Sequence, residues 1–138
     1  MGTRRQAREL ALQFLFQMEF NQGQSLPENL TLFRKASHAT TEAWSYMEEV
    51  IEGLTRFREQ IDSHLARASA QWKVDRMSPI DRNIMRIATY EMLFSAQPIP
   101  PTIAINEAVE IARRFGGTDS AGFVNGVLDQ ISRTSGNV

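Results

Sequence analysis

Residues 40–72 read "TTEAWSYMEEVIEGLTRFREQIDSHLARASAQW", and their spacing decides the fold class. Trp44, Met47, Ile51, Leu54, Phe57, Ile61, Leu65, Ala68 and Trp72 recur at steps of three and four. That period marks one face of an α-helix and does not fit the two-residue alternation of a half-buried strand. The run predicts one long helix or two joined near Arg58 to Asp62, and two accord better with a mean helix of about three turns.

The same period continues on both sides. A first helix is predicted from about Thr3 to Phe20, ending at "NQGQS", and a short one after Pro27 carries Leu30 and Phe33. "Ser78-Pro79-Ile80-Asp81" starts another helix. There a serine caps, a proline suits the first helical position, and an aspartate favours the positive helix end. That helix carries Ile84, Ile87, Ala88 and Met92 and stops before the stiff "PIPP". A further helix from Thr102 to Phe115 presents Ile105, Ala108, Val109 and Ala112, with Glu110 and Arg114 spaced to pair. Gly116 ends it, and Thr118 or Asp119 caps a last helix with the stripe Val124, Val127, Leu128 and Ile131. The expectation is an all-α chain of about seven helices in two small packed helical bundles. It forms a single domain with approximate sub-bundles at residues 1–60 and 61–138.

Composition sets limits on function. The chain has 138 residues, 42% of them hydrophobic and 22% charged, as expected of a soluble one-domain protein. It has no cysteine, which removes disulfides, thiolate metal sites and a cysteine nucleophile. No stretch is long and apolar enough to span a bilayer, and a cytoplasmic location is expected. The net charge of −1 gives no global signal for nucleic acid, yet Arg4, Arg5 and Arg8 all precede the first acid, Glu9. His38 and His64 lack metal-ligand spacing, and no phosphate loop or hydrolase motif occurs. Neither a catalytic residue, a metal nor a cofactor is expected.

Two local patterns carry more information. On a helical projection, Arg4, Arg5 and Arg8 share an arc of about 100° beside the core stripe Ala7, Leu10, Ala11, Phe14 and Met18. Guanidiniums suit phosphate, since they are planar, always charged and able to bond bidentately. They also oppose the helix dipole at this end, so they read either as a phosphate site or as plain solvated charge. Leu12, Phe16 and Phe20 form a second apolar face. It either packs under the segment from Pro27 to Phe33 or receives a protein partner, and pairing with itself would give a homodimer.

The second pattern is "RRFGGTDSAGFVNGVLD", Arg113 to Asp129. Gly116 and Gly117 stand where a helix ends. Gly122 and Gly126 stand inside the next helix, where each costs about 1 kcal/mol relative to alanine. Either they admit a closely packed neighbouring helix, or they bare the backbone beside Phe123, where an unpaired base can stack.

Three stretches together resemble the NusB family: "RRQARELALQFLFQ", "SPIDRNIMRIATYEML" and "PTIAINEAVEIARRFGGTDSAGFVNGVLD". They occur in the family's order and cover most of the chain, and the last is the most specific. The resemblance implies an all-α fold of two small bundles and a non-enzymatic transcription antitermination factor. It implies binding to boxA-type single-stranded RNA of ribosomal-RNA leader transcripts, jointly with NusE, a small-subunit ribosomal protein. The complex would join RNA polymerase. Carried over, the RNA-contacting positions are Arg4, Arg5, Arg8, Asp119, Ser120 and Phe123. The positions facing NusE are Phe16 and Asp81. Gln6, Ala121 and Gly122 depart from the commoner polar or basic residues of the family, which predicts fewer phosphate contacts and a shallower salt dependence. Related domains occur in ribosomal-RNA cytosine methyltransferases. With this chain stopping at Val138, a free-standing factor is expected.

Overall fold

A computed structural model describes residues 2–21, 23, 25–69 and 72–135. Among them six α-helices follow one another: α1 (Gly2–Met18), α2 (Leu26–Ala36), α3 (Thr41–Ala68), α4 (Pro79–Thr89), α5 (Pro101–Phe115) and α6 (Ser120–Ser135). A 3-10 turn at Val74–Arg76 precedes α4, and a π-helical turn at Tyr90–Phe94 extends it. Among the described residues all regular structure is helical, and no helix is long and apolar enough to cross a membrane.

The starts are set by short polar side chains. Ser25 Oγ accepts from the Glu28 amide at 3.3 Å and donates to the Glu28 carboxylate at 2.9 Å, a reciprocal cap with Pro27 in the first turn of α2. Thr40 Oγ1 accepts from the Ala43 amide at 3.1 Å and Ser78 Oγ from the Asp81 amide at 3.1 Å, each satisfying a donor that the first helical turn leaves free.

The long run is one helix with a break in it. Phe57 leaves helical geometry (φ −109°, ψ 18°), close to the join expected at residues 58–62, while the chain on either side stays helical. This reduces the expected seven helices to six. Helix α3 also ends earlier than its apolar period. Ser69 caps it, and its hydroxyl donates to the Leu65 carbonyl at 2.6 Å, drawing the chain out of the helix before Trp72. Trp72, expected on the core stripe, is 55% exposed.

Helix α4 occupies the centre, touching α1, α3, α5 and α6, while α5 and α6 pair with each other and α1 lies against α3. The sequence marks one apolar face on α4, yet every residue from Asn83 to Met92 is buried. Its charged residues and Asn83 are buried with partners, while the Thr89 hydroxyl is buried without one among the described residues. Arg86 forks onto Asp62 at 2.8 and 2.9 Å and onto Asn83 at 3.0 Å. Glu91, 1% exposed, accepts from Arg8 Nε at 3.0 and 2.9 Å and from the Tyr46 hydroxyl. Burial first, then the Glu91 charge, pushes the Tyr46 hydroxyl pKa well up, so it stays a donor. The π-turn shifts the register here: Ser95 N–H reaches back to Tyr90 O at 2.9 Å, and Ile99 N–H closes on Glu91 O at 2.9 Å.

Close packing reaches its limit at Gly53, where the Tyr90 ring fills the space a side chain would need. Tyr90 is only 5% exposed and has little room to move. Gly53→Ala should therefore lower stability by about 1–3 kcal/mol in urea unfolding, although alanine is the better helix former. A gain in stability would show that the ring yields. Arg8→Ala strands Glu91 in the core and should cost about 3–5 kcal/mol in the same assay. Arg4→Ala, at an exposed position, should change stability by less than about 0.5 kcal/mol.

Candidate nucleic-acid interface

The three N-terminal arginines are brought together by α1 as the projection predicts, but they are not equally available. Arg4 is exposed, with its guanidinium carbon 4.0 Å from the centroid of the Tyr46 ring. Arg5 is partly exposed and already holds a carboxylate: Nε and Nη2 bond the two oxygens of Glu107 at 2.6 and 2.9 Å. That hydrogen bond raises the Arg5 pKa and holds the Glu107 carboxyl below its ordinary 4.5. Arg8 is 4% exposed, forked onto Glu91, with Nη1 at 3.2 Å from Glu107. The expectation of three free guanidiniums is therefore corrected: Arg8 has no open face for a phosphate. The cause lies far along the chain, since Glu91 and Glu107 arrive from 83 and 99 residues away. They also bring negative charge to the N-terminus of α1, where arginines alone would oppose the helix dipole.

The second region lies at the start of α6. Asp119 is exposed, and no side-chain cap from Thr118 or Asp119 is formed among the described residues. Ser120 does the local work instead: it is buried, and its hydroxyl accepts from the Gly117 amide at 2.9 Å. Gly116 lies beneath that hydroxyl, where an added Cβ would stand 2.5 Å from Ser120 Oγ and 2.8 Å from the Ala112 carbonyl. Gly116 thus lets the chain turn tightly from α5 into α6. Ser120 is a part of that turn, not an open contact.

Gly122 and Gly126 are different. Both are exposed, and a Cβ at either would meet nothing within 4 Å. No described neighbouring helix uses the space, so packing among the described residues does not account for them. Beside them Phe123 is half-buried and meets Trp72 edge to face, with ring centroids 6.4 Å apart. Trp72, Phe123, Asp119, Arg76 and Asp81 line one cleft of about 410 Å³. Asp81 contributes a buried Oδ1 with no hydrogen-bond partner. Residues that the sequence assigns to separate RNA and protein contacts thus share one concavity. Trp72 is the member the sequence reading misplaces, because its spacing continues the α3 stripe beyond the point where α3 ends.

The second apolar face of α1 divides. Leu12 is buried against α4 and α5. Contact with the α2 segment is made by Phe14, whose ring lies 5.4 Å from that of Phe33. Phe16 and Phe20 remain outside, 39% and 70% exposed, and pack on each other at 5.3 Å. Nearby, Arg114 pairs with Glu9 at 2.8 Å, while Glu110 pairs with Arg113 in place of the expected Arg114. The described residues hold no group of three or more His, Asp or Glu side chains arranged for a metal.

Comparison with known proteins agrees with this architecture. The transcription antitermination protein NusB of Bdellovibrio bacteriovorus is 52% identical, over 96% of this chain and 97% of its own. A solved NusB structure from T. maritima superimposes with a TM-score of 0.82 at 34% identity, covering 94% of this chain and 90% of that one. A solved assembly of antitermination factors NusB and NusE with double-stranded RNA gives a TM-score of 0.81 over 97% of this chain, and at 23% identity it supports the fold alone. The NusB family profile matches residues 5–133. With a relative of this identity along nearly its whole length, the chain belongs to the NusB family, a non-enzymatic family of transcription antitermination factors.

Proposed function

We propose that this chain binds boxA-type single-stranded RNA of ribosomal-RNA leader transcripts jointly with NusE, and so helps RNA polymerase read through terminators in the cytoplasm. The observation that carries the reading is the bare α6 face. Two helix-interior glycines cost about 1 kcal/mol each and have no packing role among the described residues. Bare backbone beside Phe123 and Trp72 suits an unpaired base, which aromatic rings bind by stacking. The Asp119 carboxylate is placed to accept from a base amino group.

The roles of the arginines divide by exposure. Arg4 and Arg5 supply the phosphate contacts. Arg8 acts from below, fixing the helix that carries them, and Ser120 likewise sets the turn that presents Asp119 and Phe123. Phe16, with Phe20 beside it, and Asp81 form the face for NusE. With so few free cations, affinity for RNA alone is modest and its salt dependence shallow, since each phosphate contact on a single strand adds only about 0.7 to the log–log slope.

Fluorescence anisotropy of a labelled boxA-type RNA, titrated with and without NusE at two salt concentrations, tests the proposal. Binding that is salt-sensitive and tightens with NusE supports it. No binding under either condition would leave a protein-interaction module built on Phe16 and Phe20. Gly122→Leu should weaken RNA binding by about tenfold with unchanged helical circular dichroism, as expected if about 1–3 kcal/mol of stacking is obstructed. Glu107→Gln releases Arg5, and RNA affinity should rise several-fold with a steeper salt slope. A fall would mean that Glu107 aims Arg5 at the RNA instead of masking it.

A further inference from the structure

Arg58 is a half-buried cation that forms no direct ion pair among the described residues. It follows the kink residue Phe57, and among the described residues it makes no ion pair, hydrogen bond or ring contact. Its Nε is fully buried and has no acceptor. Burial first and then the neighbouring Arg86 push its pKa down, outweighing the attraction of Asp62 and Glu19.

Local acids are present but committed. Asp62, one helical turn on and the natural partner, gives both oxygens to Arg86 at 2.8 and 2.9 Å. Glu19 is held by Arg82 at 2.9 Å and Asn83 at 3.4 Å. Arg58 instead faces an open cleft of about 760 Å³ on the side of α3 that meets the end of α1, with Lys73 in the same wall. An unpaired, partly desolvated guanidinium is costly to hold, and a ligand carboxylate or phosphate would relieve it through charge-assisted bonds.

The walls decide between those two anions. Glu19, Glu59, Asp62 and Asp75 line the same cleft. With Arg58, Lys73, Arg82 and Arg86 in the same walls the lining is a balanced mix of acids and bases, which a uniformly anionic nucleic-acid backbone matches poorly. A single acidic side chain within a mixed-charge protein loop matches it better, because its own basic neighbours could face Glu59 and Asp75. The cleft also adjoins the exposed aromatic pair, since Glu19 sits between Phe16 and Phe20 and its amide donates to Phe16 O at 3.2 Å.

We infer that the Arg58 cleft receives an Asp or Glu side chain of the protein partner that covers Phe16 and Phe20. This rests on the reading of that aromatic pair as the NusE face, and it extends that face across the α3 kink to a residue no sequence motif marks.

Titration calorimetry of the full chain with NusE, wild type against Arg58→Gln, tests it. Wild type should bind, and Arg58→Gln should bind about tenfold to a hundredfold more weakly, the loss expected for a charge-assisted hydrogen bond. Its affinity for boxA-type RNA alone should not change, and its thermal midpoint should hold or rise, because an uncompensated charge has been removed. Equal NusE affinity in the two proteins would overturn the inference and leave the proposed function standing. A wild type that does not bind NusE would remove both. If Arg58→Gln instead weakens RNA binding and flattens its salt slope, the ligand is phosphate and the inference fails. A lowered thermal midpoint would also overturn it, by showing that the guanidinium is already satisfied within the fold.

Discussion

The structure depends on one buried carboxylate. Glu91 sits in the π-turn after α4 and takes both an arginine from α1 and a hydroxyl from α3. Three elements that are far apart in sequence are fixed against one another at a single point. The arrangement is costly if incomplete, because a buried acid without partners is strongly destabilising, and demanding when complete, because it admits one register of α1. The π-turn belongs to the same solution: it lets Glu91 point inward while its carbonyl still finds the Ile99 amide.

From that constraint follows the unequal standing of the arginines. Once Arg8 is held by Glu91, the α1 helix places Arg5 one turn earlier, beside Glu107 of α5, and Arg4 on the outside over Tyr46. Tyr46 is thus shared between the core and the surface. Its hydroxyl anchors Arg8's acid, and its ring supports Arg4. The surface cations are stiffened by the same contacts that hold the helix, so less side-chain freedom is lost when they meet an anion.

How far the sequence could be read depends on which interactions are local. The helix start at Ser78 was legible because a cap and its amide lie three residues apart. The helical period of 44–68 was legible for the same reason, and so was the Gly116 stop. The all-round burial of α4 was not, because Asn83, Arg86 and Glu91 look solvent-facing until Asp62 and Arg8 are seen beside them. The same long-range pairing hid the occupancy of Arg5 and Arg8. Trp72 was misplaced by a period that outlasted its helix. The open face at Gly122 and Gly126 was one of two readings of the same residues, and only the empty space around them distinguishes it from a helix-packing role.

On the proposed reading, α5 sets the scale of the interface. Its N-terminal end meets the arginine region, where Arg4, Arg5, Ile103 and Glu107 line a common cleft. Its C-terminal end passes through Gly116 into the turn that presents Asp119 and Phe123. Fifteen residues of helix separate the two by about 20 Å. Arg5 meets Glu107 and Glu9 meets Arg114 towards the C-terminal end, so α1 is tied to α5 along its length and the separation is set by a helix and not by a loop. A strand held at both ends must therefore be extended and unpaired over that distance. A short duplex would present its phosphates but keep its bases from the Phe123 face. On that reading a preference for single-stranded RNA would need no base-specific contact: it would follow from a phosphate clamp and a stacking ring held at the two ends of one helix.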